Sequence, residues 1–122
     1  MIKLTTTNIK YLITINQIYN TEKGVRCTDV ANILRVSKPS VHRMVETMKN
    51  MGLIDKDRYG EIFFTEIGEE LAAKYSRYYE AFSRQFGQFI PEDADKVSGI
   101  CAFLAEFTTE SIEKMYNRLA SV

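Results

Sequence analysis

The residues with the clearest chemistry are hydrogen-bond donors that share one face of a predicted helix. Ser37 is a good N-cap, and Lys38 and Pro39 suit the first helical turn. Apolar residues then recur at helical spacing and predict a buried face: Val41, Met44, Val45 and Met48. The opposite face carries polar side chains: Lys38, Ser40, His42, Arg43, Thr47 and Lys49. Such a row of donors can contact phosphates and base edges in the major groove of DNA.

Two neighbouring elements would position this helix. Thr28–Leu34 is predicted to form a short capped helix, and only Arg35, Val36 and Ser37 separate it from the next one. This is the layout of a helix-turn-helix. Downstream, two short β-prone runs at residues 52–54 and 61–65 flank a turn and predict a hairpin. A hairpin directly after a recognition helix is a wing, so the unit is predicted to be a winged helix.

The predicted DNA contact combines the helix face with the tip of the wing. Its members are Ser37, Lys38, Pro39, Ser40, His42, Arg43, Lys49, Arg58 and Tyr59. Arg43 is the first choice for a guanine or phosphate contact, with Lys38 and Lys49 on phosphates and Arg58 against the adjacent groove. The alternative for Arg43 is a solvated helix residue with no partner.

The charge distribution agrees with a nucleic-acid partner although the net charge is zero. Residues 1–60 carry ten lysines and arginines against five aspartates and glutamates, a balance of +5, and residues 61–122 carry −5. A basic half joined to an acidic half is expected when one face meets phosphate, although charges can also segregate by chance. The 122 residues suit one compact domain, or a small domain with a helical appendage.

Composition also excludes several classes of protein. No long apolar run and no signal-peptide pattern are present, which predicts a cytoplasmic chain without a membrane partner. Cys27 and Cys101 are therefore expected to be reduced thiols. The chain has no phosphate-binding glycine loop and no His-Glu metal motif, so no enzymatic activity is predicted.

The flanking segments predict four more helices. The first runs from near Thr7 to Asn20, with one apolar stripe: Ile9, Leu12, Ile13, Asn16 and Tyr19. Thr65 can cap a long helix with a largely aromatic stripe: Ile67, Leu71, Tyr75, Tyr78, Tyr79, Phe82 and Phe86. The next helix is predicted to begin at the acidic residues Glu92, Asp93 and Asp95. Its inward-facing residues are predicted to be Val97, Ile100, Cys101, Leu104 and Phe107. Thr108 or Thr109 can cap the last helix, whose apolar residues are Ile112, Met115, Tyr116 and Leu119.

The predicted fold is mainly α, with a winged helix-turn-helix DNA-binding domain at residues 1–65 and an α-helical dimerisation domain at residues 66–122. A winged helix has its own core, so the helices after it need another surface to cover them. A second copy of the chain can supply that surface across a two-fold axis. The predicted interface consists of Tyr75, Tyr78, Phe82 and Phe86. The alternative is a monomeric bundle folded back on the wing.

These motifs together resemble the diphtheria-toxin-repressor and manganese-transport-regulator family of metal-dependent transcriptional repressors. The resemblance rests on the order of Asp29-Val30-Ala31, the phrase ending in Pro39-Ser40-Val41, Gly52-Leu53-Ile54, and Thr65 followed by Gly68 and long helices. It covers nearly the whole chain, which looks like the short manganese-regulator type. It implies a homodimer that binds a palindromic operator in double-stranded DNA when loaded with manganese or iron.

The metal ligands that the family implies are largely missing here. The family takes them from the first helix, from a His and a Glu four residues apart on the long helix, and from a cluster on the following helix. The matching positions in this chain are Lys10, Ile13, Tyr79, Ser83, Cys101, Leu104 and Ala105. Manganese prefers several oxygen and imidazole ligands, and Leu104 and Ala105 supply none. Cys101 is one weak candidate, and a shifted alignment adds Glu80 and Glu106.

Three functional hypotheses follow. The first is a homodimeric DNA-binding repressor that needs no metal cofactor and either binds constitutively or responds to another effector. The second is a dimeric protein-interaction module derived from a DNA-binding fold. The third is a metal-dependent repressor with atypical ligands. A relic that had lost DNA binding would have no reason to keep the polar face with Lys38, Arg43 and Lys49.

Overall fold

A computed structural model describes residues 3–121 and contains six α-helices and one β-hairpin. The elements in chain order are α1 (Thr6–Ile18), α2 (Cys27–Leu34), α3 (Lys38–Asn50), β1 (Ile54–Lys56), β2 (Ile62–Phe64), α4 (Glu66–Phe86), α5 (Lys96–Ala105) and α6 (Thr109–Ala120). A 3₁₀ turn, Gly87–Phe89, follows α4. Among the described helices, none has the length and apolar character needed to cross a membrane. The order of these helices and of the hairpin confirms the predicted, mainly α fold with a winged helix-turn-helix.

Helix α1 lies at the centre of the molecule. It contacts α2, α4 and α5, and it buries Ile9, Leu12 and Ile15 completely. Its N-terminus is closed by a capping box in which Thr5 and Asn8 exchange side-chain and backbone hydrogen bonds. The predicted end at Asn20 is wrong by two residues. The backbone turns extended at Tyr19, whose ring packs against Phe64 with centroids 4.7 Å apart.

The helix-turn-helix has the predicted order with one difference at its start. Helix α2 begins at Cys27 after Arg26, which makes no side-chain capping bond, so the predicted cap within Thr28–Leu34 is not formed. The turn into α3 passes through Arg35, whose φ of 57° and ψ of 46° lie in the left-handed region. The N–H of Val36 donates to the carbonyl of Ala31 at 3.1 Å and closes the turn. Ser37 then caps α3 as predicted.

The wing is a short antiparallel hairpin between β1 and β2, in which Ile54 pairs with Phe64 and Lys56 with Ile62. Val25 forms an isolated bridge to Ile62 on its other side and ties the hairpin to the segment before α2. The turn is stabilised by one Oδ1 atom of Asp57, which accepts from the backbone N–H groups of residues 59 and 61 at 2.9 Å each. The bridge to Val25 and the hydrogen bonds to Asp57 therefore fix the wing in its position next to α3.

The helices after the wing form an aromatic layer in which α4 and α5 pack on α1 and α6 packs on α4. Thr65 caps α4 and Thr108 caps α6, as the sequence indicated. Tyr75, Tyr78 and Phe82 are buried within the single chain. The phenol of Tyr78 donates to Oε2 of Glu113 in α6, which satisfies a hydroxyl that the core would otherwise leave unpaired.

Three predictions for this layer are wrong. Ile67 and Phe107, predicted to face inward, are 54% and 42% exposed. Gly68 takes the inward position at the start of α4, so Ile67 falls on the outer side. Helix α5 begins at Lys96 with Asp95 as its N-cap, later than the predicted opening at Glu92.

The buried side chains form one continuous core from Leu4 to Ile112. It includes residues of the winged helix and of the three later helices, with α1 between them. Part of the covering that we assigned to a second copy is thus supplied by α1 of the same chain. The division at residue 65 and the dimer itself stay predictions.

Candidate DNA interface

The outer face of α3 carries a connected set of hydrogen-bonding side chains. The hydroxyl of Ser37 accepts from the N–H of Ser40 at 3.2 Å, and the two hydroxyl oxygens are 2.9 Å apart. Nη2 of Arg43 donates to Oγ of Ser40 at 3.2 Å. The arginine is therefore held against its own helix while most of its donors stay free for a bidentate contact.

The structure exposes the predicted contact residues. Lys38, Pro39, His42, Arg43 and Lys49 are exposed. Ser40 is half-buried. On the inner face, Val41, Val45 and Met48 are completely buried, and this anchors the orientation of the polar side. The predicted orientation of the helix is therefore confirmed, whereas the DNA contacts of its residues stay a prediction.

The hydroxyl of Thr47, also on the predicted outer face, donates to the carbonyl of Arg43 at 3.0 Å. This bond is internal to the helix and competes with any contact to a base. Thr47 is therefore a poorer candidate than its neighbours.

The tip of the wing presents a second pair of candidate side chains. Nη2 of Arg58 donates to the hydroxyl of Tyr59 at 2.9 Å, and its guanidinium carbon lies 5.1 Å from the centre of that ring. Tyr59 is 74% exposed. An exposed aromatic ring that supports an arginine is a suitable contact for a phosphate or a groove edge.

Arg35 is a candidate that the sequence reasoning missed. It is exposed in the tight turn directly before α3 and holds a left-handed backbone, which is uncommon for a residue other than glycine or asparagine. A positive side chain in this turn adds to the charge at the start of the recognition helix. The sequence contained the basic residue, but the usual residue preferences gave no indication of its backbone conformation.

The weak metal candidates do not form a site. Glu80 is exposed on α4 and forms an ion pair with Arg84, with 3.0 Å between Oε1 and Nη2. Glu106 ends α5 and lines a small depression with Lys3 and other residues, whereas Cys101 is completely buried. Within residues 3–121, no three His, Cys, Asp or Glu side chains come close enough together to hold a metal ion.

The positions that match the family's ligands lie where α1, α4 and α5 meet. Nζ of Lys10 donates to Oγ of Ser98 at 2.7 Å. Burial raises the pKa of Cys101 to about 11, and burial likewise raises the pKa of Tyr79. The thiol and the phenol are therefore neutral near pH 7, and the thiol is a poor nucleophile. This electrostatic environment disfavours a thiol-reactive effector at Cys101.

Comparison with known proteins assigns the first half of the chain. Residues 3–62 match the family model described as the iron dependent repressor, N-terminal DNA binding domain. No protein of curated function matches the chain significantly.

Solved structures extend the similarity to the full length of the fold. The chain is similar to a hypothetical protein from Sulfolobus solfataricus, with a TM-score of 0.62, 20% identity and coverage of 98% of this chain and 92% of that one. It is similar to the metal-dependent transcriptional regulator MtsR, with a TM-score of 0.66, 23% identity and coverage of 95% of this chain and 55% of that one. It is also similar to IdeR of T. acidophilum, with a TM-score of 0.62, 20% identity and coverage of 98% of this chain and 56% of that one.

At these identities the structural similarities establish the fold alone, and the chain spans little more than half the length of the two regulators. The family match covers α1, the helix-turn-helix and most of the wing, which are the elements that hold the exposed donors of α3. Residues 3–62 thus match the N-terminal DNA binding domain of the iron dependent repressor family, the resemblance that the motifs of the sequence predicted.

Proposed function

We propose that the protein is a sequence-specific transcriptional regulator, acting as a repressor, that binds a palindromic operator as a homodimer without manganese or iron. The observation that carries this proposal is the donor-rich face of α3 around Arg43, exposed on a DNA-binding domain of the repressor family. The basic balance of residues 1–60 supports the same surface.

An exposed aromatic surface supports the homodimer. Phe86, Phe89, Phe103 and Phe107 are between 41% and 76% exposed. Phe86, Phe103 and Phe107 extend a chain of rings that starts at the buried Phe82. The ring centroids are 6.0 Å apart for Phe82 and Phe86, 5.4 Å for Phe82 and Phe103, and 5.2 Å for Phe103 and Phe107. Contiguous exposed aromatic residues are typical of interfaces. Of the four interface residues predicted from the sequence, only Phe86 leaves substantial surface for a partner.

We expect sedimentation to give twice the monomer mass for the native chain. The double variant Phe103→Ser, Phe107→Ser should sediment as a monomer because it removes the centre of the aromatic surface. Ile67→Ser is the matched control, since Ile67 is also exposed but lies at the opposite end of α4. A native chain that is monomeric at micromolar concentration, or a double variant that stays dimeric, contradicts this interface.

The proposal for metal independence rests on the donor groups at the family's ligand positions. Leu104 and Ala105 have no donor atom, and Lys10 brings a positive charge to the same junction. Manganese and iron need several oxygen or nitrogen ligands and are repelled by an ammonium group. DNA binding is therefore expected to depend on the protein surface alone.

A DNA titration in the presence and absence of metal tests the function directly. A duplex is first selected by the protein from a random pool, and its affinity is then measured by fluorescence anisotropy in excess chelator, in manganous salt, and anaerobically in ferrous salt. We expect enrichment of a palindrome, an affinity on the order of 10⁻⁸ M or tighter, and equal binding in all three conditions.

The other outcomes separate the competing functions. If no sequence is enriched and no duplex is bound, the protein is an interaction module and the proposal fails. If chelator abolishes binding and manganese restores it, the protein is a metal-dependent repressor with ligands that this junction does not provide.

A further inference from the structure

A polar cluster joins α1 to α5 near the point where both helices meet α4. Nζ of Lys10 in α1 donates to Oγ of Ser98 in α5 at 2.7 Å. That hydroxyl in turn donates to Oδ2 of Asp95 at 2.7 Å, and the N–H of Ser98 donates to Oδ1 at 3.0 Å. Lys10 is thus linked through one hydroxyl to the carboxylate that caps α5.

The charges around Lys10 leave its ammonium as the cation of this junction. Hydrogen bonds from the N–H and hydroxyl of Ser98 lower the pKa of Asp95, so this carboxylate is ionised. Tyr79 and Cys101 are neutral because burial raises their pKa values. The ammonium of Lys10 and the carboxylate of Asp95 therefore balance each other. A divalent ion at this junction would be repelled by Lys10 and would find Asp95 as its single anionic ligand.

Lys10 also lies close to the recognition helix. It lines a depression between α1 and α3 together with Ser40 and Arg43, and it lines a second depression with Tyr79 and Asp95. Helix α1 contacts α3 directly, because Nδ2 of Asn8 donates to Sδ of Met44 at 3.4 Å, so a movement of α5 relative to α1 would be passed on to α3. Helix α1 is the physical connection between the junction and the candidate DNA interface.

We infer that the Lys10 ammonium is a built-in cation that holds α5 against α1 through Ser98 and Asp95, in the place that a metal ion would otherwise serve. Lys10 is a positioning residue, because it acts on DNA binding only through the arrangement of helices. The inference rests on the proposed function in one respect, namely that the metal-free protein is competent to bind DNA.

Thermal unfolding without DNA tests the role of Lys10 in the fold. Lys10→Met removes the charged donor at similar size, and we expect its Tm to fall by roughly 4–8 °C. Lys10→Arg should recover most of that loss because it keeps a charged donor. Lys74→Met is the control: the ion pair of Lys74 with Glu70 lies at the surface within α4, so the Tm of this variant should change by less than about 2 °C.

A charge reversal separates a cation role from ordinary packing. Lys10→Glu places a second carboxylate near the ionised Asp95, so its Tm should fall below that of Lys10→Met by roughly another 2–4 °C. Manganese should leave the Tm of the native chain unchanged, and a rise in that Tm overturns the inference. Equal melting of Lys10→Met and Lys74→Met, or of Lys10→Glu and Lys10→Met, also overturns it.

The melting experiment also keeps this inference distinct from the proposed function. Failure of the native chain to bind DNA without metal rejects the proposed function. The melting temperatures decide the role of Lys10 whichever way that DNA titration ends.

Discussion

Gly68→Ala is expected to lower the free energy of unfolding by about 3 kcal/mol, with a fall in Tm of roughly 10 °C. A Cβ atom at Gly68 would lie 1.9 Å from the carbonyl oxygen of Leu53, a backbone atom that cannot move aside cheaply. That carbonyl also accepts a hydrogen bond from the N–H of Thr65 at 3.1 Å. Relief of the clash would therefore push α4 away from the wing and disturb its N-terminal cap.

Gly99→Ala is the matched control for this substitution. Gly99 lies in the exposed part of α5, and a Cβ atom there meets no atom within 4 Å. Alanine is the better helix former, so this variant should be more stable by roughly 0.5–1 kcal/mol. Opposite signs for the two variants in urea unfolding are expected. Equal stabilisation by both would show that α4 does not approach Leu53 as closely as described.

Gly68 also illustrates why the exposure of Ile67 could not be predicted from periodicity. The sequence offers Ile67 as an apolar residue at helical spacing, and a pattern argument places it inward. The structure instead exposes Ile67, because the close approach to Leu53 requires the residue without a side chain. This choice depends on a contact between residues fifteen positions apart, and local sequence does not contain it.

Local features were predicted well where the cause is itself local. Ser37 and Thr65 each accept a hydrogen bond from an N–H three residues later, and this interaction needs only the helix that it starts. The same holds for the outward face of α3, which follows from the helical period. The left-handed backbone of Arg35 had no such local cause, since its residue type does not favour that conformation.

The sequence predicted only part of the arrangement at the junction of α1, α4 and α5. Alignment to the family placed Lys10 and Cys101 at ligand positions, and their side chains argued against a metal. The partners of Lys10 were not anticipated, because Ser98 and Asp95 are 88 and 85 positions away along the chain and reach it only through the packing of α5 on α1. Residue types thus argued against a metal at this junction, and the contacts that join α5 to α1 became visible only in the fold.

Arg43→Ala is expected to weaken binding to the selected duplex by about 1–3 kcal/mol, or roughly 5- to 150-fold. Arg43 is exposed at the middle of α3, and its contact with Ser40 holds the side chain along the helix without using its remaining donors. A guanidinium group in this position can donate two parallel hydrogen bonds to a guanine. The loss should be accompanied by a relaxed preference at one base pair of each half-site.

A second variant distinguishes a contact of Arg43 with a base from a contact with phosphate, and a third serves as the control. Arg43→Lys keeps the charge but loses the paired geometry, so a base contact predicts reduced sequence preference with much of the non-specific affinity retained. Arg84→Ala removes an exposed arginine on α4 that is already paired with Glu80, and it should bind DNA like the native chain. If Arg43→Ala instead lowers all affinities equally and reduces the salt dependence by about one counterion, Arg43 contacts phosphate. Unchanged affinity and preference in Arg43→Ala would remove it from the interface, because a central donor of a recognition helix cannot be lost without cost if it touches DNA.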